Sequence, residues 1–193
     1  MRKTNRTVMV ALMAALTLAG VDQTAFAGET AGNPSAMDRV RSTNTAVAAM
    51  ISAATEQSAT FKGLVEAING SDGLVYVNAG RCGHGIRACL LHTVTVAGRN
   101  RILHILVDTR QEDLDLIESI GHELRHAVEV LSDPSVRSDA AIYFFYTRAE
   151  TTFAAGRFET EAAIAAGDAV RAEARHTQAR RAARQGPRGA QRA

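Results

Sequence analysis

Residues 111–131 read Gln-Glu-Asp-Leu-Asp-Leu-Ile-Glu-Ser-Ile-Gly-His-Glu-Leu-Arg-His-Ala-Val-Glu-Val-Leu. Leu114, Ile117, Ile120, Leu124, Ala127, Val128 and Leu131 recur at the i, i+3, i+4, i+7 spacing of a helix that buries one face. Gln111, Glu112, Asp113 and Asp115 place acceptors and negative charge at its first turn, where the helix dipole favours them. Asp133-Pro134 ends it. Within this helix lies His122-Glu123-Leu124-Arg125-His126. Residues four apart on a helix point the same way, so His122 and His126 present two imidazoles to one ion. Glu123 is rotated from them by about 100° and stays near that ion, where its carboxylate can take a proton from an attacking water. Ile117, Ile120, Leu124 and Leu131 are left to pack, so one face buries while the other meets a cleft.

The rest of the chain is organised around this helix. Val40, Val47, Met50, Ile51 and Ala54 predict a helix over about 38–57. Ser58 to Thr60 marks a break and N-cap, and Phe61, Leu64, Val65 and Ile68 predict a second helix over 61–69. Asn69 to Gly73 is dense turn chemistry, and Leu74–Val77 is β-prone. Leu90–Ala97 and Arg101–Asp108, separated by Gly98-Arg99-Asn100, predict an antiparallel hairpin. His92 and His104 lie in those strands and read as structural. A helix over 137–149 and another over about 158–180 follow, with a break at Ala154-Ala155-Gly156. The fold class expected is α+β, mainly helical, with a small antiparallel sheet packed on the metal-site helix. One domain over 38–180 carries it.

Residues 1–27 read as a secretory signal peptide. Arg2, Lys3 and Arg6 precede the uncharged stretch Val8–Val21, and Ala25-Phe26-Ala27 offers a cleavage site before Gly28. The apolar run is shorter than a bilayer span needs, and no other segment approaches one. The expectation is therefore cleavage after Ala27, export to the periplasm or beyond, and no transmembrane span. Residues 28–37 read as a flexible leader. In an oxidising compartment Cys82 and Cys89, seven apart in a Gly-containing loop, are expected to form a disulfide. A metal site including His84 is the alternative. A disulfide-dense scaffold is excluded by the presence of only two Cys.

A catalytic zinc takes three protein ligands and leaves a position for water. For the third, Glu129 follows His126 too closely on the same helix and is better placed as an acceptor behind the ligands or as a surface charge. His176 sits in the Arg-rich end and is set aside. Glu159 and Glu161 remain, both at the start of the last long helix. Ser119 to Val128 resembles the active-site helix of zincin metallopeptidases. Phe158-Glu-Thr-Glu-Ala-Ala163 looks like the E-x-x-A-D stretch of gluzincins related to the CAAX-processing protease, and that likeness maps the zinc-binding Glu onto Glu159. Ala163 stands where that pattern has Asp, and Arg125 occupies a position that is usually uncharged. The resemblance implies an edge strand that pairs with an extended peptide. It also implies a zinc-dependent peptidase acting on a peptide or protein, with Glu123 as the base. Tyr143, Tyr146 and Arg148 are candidate donors to the oxyanion. The alternative is a non-catalytic zincin-like module of the cell envelope that binds a metal or a peptide. A monomer is expected.

The formal net charge of +2 averages two unlike parts. Residues 28–170 carry twelve basic and eighteen acidic side chains, whereas residues 171–193 carry seven Arg and one Glu. No stacking aromatics or nucleic-acid motif accompany the basic end, so no nucleic-acid partner is expected. Residues 181–193 read as a disordered Arg-rich tail.

Overall fold

The computed structural model describes residues 38–83, 85–148, 152–154 and 157–185. The segments expected to be a signal peptide and a flexible leader, His84 and the last eight residues lie outside them. The first elements are β1 (Val40–Arg41), α1 (Thr45–Gln57), α2 (Ala59–Asn69) and β2 (Gly73–Ala79). Then come β3 (Ala88–Leu90), β4 (Thr95–Ala97), β5 (Asn100–Val107), α3 (Asp113–Ser132) and α4 (Asp139–Arg148). The chain ends with β6 (Thr152–Ala154), β7 (Arg157–Glu159) and α5 (Glu161–Gln185).

The expected single helix over 38–57 divides at Asn44. Asn44 Oδ1 accepts from Val47 N at 3.1 Å and caps α1. The residues before it extend, and Val40 pairs with Val75. Ser58 caps α2 through Phe61 N at 2.9 Å, as its position suggested.

The sheet is mixed, which corrects the antiparallel expectation. Its order is β1-β2-β5-β3, with β4 also on β5. β2 runs parallel to both β1 and β5, and β5 pairs with β2 over its length from Gly73↔Arg101 to Ala79↔Val107. The predicted hairpin survives as β4–β5, closed by a turn in which Gly98 has φ +60°. Its first strand breaks around His92 and its other half, β3, pairs with the far end of β5. One sheet face carries Val75, Val77, Leu103, Ile105 and Val107, all buried. α3 lies on that face against β3 and β5 and contributes Ile117, Ile120, Leu124 and Ala127 to the same core.

Two devices fix α3. At its end the buried Arg101 spends its guanidinium on the carboxylate of Asp72 and on the carbonyls of Val130, Leu131, Asp133 and Val136. These carbonyls belong to the end of α3 and the turn beyond it, where helix-end acceptors have no partner within the helix. Along its length α3 packs closely on α5. A Cβ on Gly121 would lie 2.9 Å from Val170 Cγ2, so a larger residue there would separate the helices. Arg171 of α5 also pairs with Asp115 and Glu118 of α3.

The last third departs most from expectation. Thr152–Ala154 and Arg157–Glu159 pair as two antiparallel strands, with Thr152 opposite Glu159. α5 starts only at Glu161 because Thr160 caps it, its hydroxyl accepting from Ala163 N at 3.0 Å. Glu159 therefore sits on a strand, where the gluzincin likeness implies a helix. α5 runs on to Gln185, so residues 181–185 of the expected tail are helical, consistent with the high helix propensity of Ala, Arg and Gln. Among the described residues no helix is long and apolar enough to cross a membrane.

Candidate metal centre

His122, His126 and Glu159 come together. Each offers one ligand atom, and the three atoms lie within 4.8 Å of one another. Glu159 Oε2 is 3.1 Å from His122 Nε2 and 4.0 Å from His126 Nε2. The two imidazole centroids are 4.9 Å apart, with their planes at 75°. Two nitrogens and a carboxylate oxygen converging at this range suit a divalent ion, so the group could hold one.

Behind His126 stands Glu129. Its Oε2 is 3.1 Å from His126 Nδ1, while its Oε1 accepts from Thr160 Oγ1 at 2.9 Å and from Arg125 Nε at 3.3 Å. An ionised carboxylate only accepts, so a hydrogen sits on Nδ1, and Nε2, on the side of Glu159, is the atom that would meet an ion. Arg125, the residue that departs from the zincin pattern, thus holds Glu129 in place. Thr160, the residue after Glu159, bonds to Glu129 and so links the second histidine and the carboxylate through one short network.

The charge states follow from this crowding. Burial alone would lower the pKa of His126. Hydrogen bonds to Glu129 and Glu159, and the charge of Glu123, outweigh it and raise the value to about 9. Glu159 is held well below the usual carboxylate range by His122 first and His126 second. Glu123 is 7% exposed, and burial pushes its carboxyl upward against the pull of the two histidines. Its Oε2 accepts from Leu90 N at 2.6 Å, so the outermost strand of the sheet touches the proposed base directly.

Leu90, His92, Tyr146 and Phe158, with Glu123 and two of the three candidate ligands, His126 and Glu159, line a cavity of about 30 Å³. That volume holds one or two water-sized bodies. Cys82 and Cys89 are joined in a disulfide, so neither thiol is available to a metal. Tyr146 is buried, stacks on Phe158 with centroids 5.2 Å apart, and donates its hydroxyl to His126 O at 3.3 Å.

The remaining candidates lie elsewhere. Tyr143 is 52% exposed, edge-on to Phe158 and Phe144 and outside the cavity wall. Arg148 is exposed at the end of α4, where its charge acts on Asp133. Glu161 is exposed on the first turn of α5 and is not one of the grouped ligands. His104 stacks on Tyr76 at 5.6 Å, in keeping with a structural role.

His92 is the site residue that the sequence reading missed. It lines the cavity between Tyr146 and Phe158, at centroid distances of 6.1 and 5.5 Å. Burial first, and the charge of His126 second, lower its pKa and so favour the neutral ring. Leu90–Ala97 reads as one β-prone run, so no local signal marks the break at residues 91–94 where His92 lies.

No protein-family model, curated protein or solved structure matches the chain.

Proposed function

We propose that this chain is a zinc-dependent hydrolase of peptide bonds, exported and zincin-like in its chemistry. The observation that carries the reading is the convergence of His122, His126 and Glu159 beside the buried carboxylate of Glu123. His122, His126 and Glu159 would hold the zinc, which when bound polarises a carbonyl and makes water acidic enough to attack near neutral pH. Glu123 accepts the proton of the attacking water and delivers it to the leaving amine, a role suited to a carboxylate whose pKa burial has raised. Glu129 orients His126. His92, neutral and on the cavity wall, supplies an N–H to the oxyanion, the part first given to Tyr143, Tyr146 and Arg148. β3 ends the sheet, and a peptide lying along it would bring its carbonyl past Glu123. The disulfide suits the oxidising side of a membrane.

Glu123→Gln tests the catalytic part. The variant is expected to keep stoichiometric zinc and to lose about a thousandfold or more in peptide hydrolysis. Unchanged turnover removes Glu123 from the mechanism. A second reading, a non-catalytic metal-binding module, is favoured by one observation: Glu123 already spends an oxygen on Leu90 N in a cavity of about 30 Å³. Zinc binding without hydrolysis of any member of a diverse peptide library would select it.

A further inference from the structure

The Arg-rich end of the chain takes no part in the metal centre, and the geometry of α5 gives it a direction. The buried stripe of this helix runs through Ala163, Ala166, Val170 and Ala174. It continues in phase through Thr177 and Gln178, which bond to the carbonyl and side chain of Gln57 at the end of α1. There the body of the domain stops. From Ala179 to Gln185 every residue is exposed. These seven residues carry the helix about 10 Å further. Arg181 and Arg184 take the positions that the stripe would occupy next, with Arg180 beside them. Arg181 reaches back 3.4 Å to Glu56, a pair exposed on both sides and worth little in water. The face that is apolar against the domain thus becomes cationic once it leaves it.

We propose that this overhanging face of α5 is a docking surface for an anionic phospholipid membrane, bound through its headgroup phosphates. Charge complementarity selects the occupant. Residues 171–193 hold seven Arg against one Glu, whereas residues 28–170 hold more acid than base. A negative surface therefore attracts this end and repels the rest, which fixes an orientation as well as an affinity. From Ala179 onward the side chains are Ala, Arg, Gln, Gly and Pro only. No large apolar residue is present to insert, so attachment is electrostatic and reversible. No aromatic is present to stack a base, which separates this surface from those that hold single-stranded nucleic acid. The inference is independent of the metal chemistry.

The test is co-sedimentation of the full chain with vesicles of phosphatidylcholine alone or with about a third phosphatidylglycerol, at low and at physiological salt. Wild type and variants are compared in the same processed form, so the apolar stretch at 8–21 contributes equally throughout. The expected result is binding that requires phosphatidylglycerol and weakens with salt. It should fall by about a hundredfold in the Arg180→Gln, Arg181→Gln, Arg184→Gln triple variant, because each cation near such a surface contributes about fivefold. A second triple variant, Lys62→Gln, Arg81→Gln, Arg99→Gln, removes the same charge from exposed positions elsewhere and should bind like wild type. Equal loss in both variants, or no dependence on phosphatidylglycerol, overturns the proposal. So does tighter binding to a single-stranded oligonucleotide than to the anionic vesicles at equal salt. Helicity measured by circular dichroism should be unchanged in the triple variant, because Gln is nearly as good a helix former as Arg.

Discussion

The two histidines and the glutamate of the metal centre are held in very different ways. His122 and His126 stand on α3, which is buried along one side, packed against α5 and tied at its end by Arg101. Their spacing is a property of the helix itself. Glu159 stands on β7, one strand of a two-stranded sheet separate from the main one. Its position depends on Thr160, Glu129 and the two histidines it faces. Half of the site is thus built by local geometry and half by tertiary assembly. An ion bound there would fasten the second half to the first.

The largest effect should come from the assembled half. Glu159→Ala is expected to lower zinc affinity by on the order of a thousandfold, since it removes one of three ligands. Glu161→Ala, two residues on and exposed, should leave affinity as it was. Competition titration against a chromophoric chelator reads both, and zinc loss in Glu161→Ala alone would reverse the assignment.

Next in size is a pH effect on the metal-free chain. The pKa of His126 is raised on folding, from an ordinary value near 6.5 to about 9. Its contribution is full below the lower figure and lost as pH rises through the higher one. Glu159 is shifted the other way, so its contribution is present above its ordinary value of 4.5 and lost as pH falls. The metal-free protein should therefore be most stable near pH 5–6.5 and lose up to about 3 kcal/mol by pH 9. Urea melts across that range, with chelator present, check the sign. Stability that rises steadily from pH 6.5 to 9 would mean that the Glu129–His126–Glu159 chain does not hold.

The smallest effect sharpens the link between the halves. Glu129→Gln keeps the shape but weakens the hold on His126 Nδ1 and on Thr160. A 10–100-fold loss of zinc affinity is expected, as is usual for acceptors behind metal-bound histidines. An unchanged affinity would show that α3 alone orients His126.

This division also explains what could be read from one sequence. α3, its buried face and the presentation of His122 and His126 on one side follow from periodicity over a few turns. The capping of α2 by Ser58 and the pairing of β4 with β5 follow from equally local signals. Glu129 was legible as an acceptor because three residues on a helix fix what it can reach. The parallel pairing of β2 with β5 was not legible, because residues that far apart leave no mark in a local pattern. For the same reason the sequence suggested Glu159 as a ligand through a likeness, yet placed it on the wrong element. The capping power of Thr160 was overlooked there, just as that of Asn44 was overlooked at α1. His92 reads as a strand residue because Leu90–Ala97 is β-prone throughout, and nothing local marks where that run breaks.

Arg101 has a consequence for how the molecule comes apart. One guanidinium binds the first residue pairs of β5, the Asp72 turn and the last carbonyls of α3 into a single bonded group. Fraying of α3 from its C-terminus would strand a buried cation, so the helix and the sheet must open together. Amide hydrogens around His126 should then exchange as slowly as those in the centre of β5. The pair of histidines is shielded from local opening even when no ion is bound.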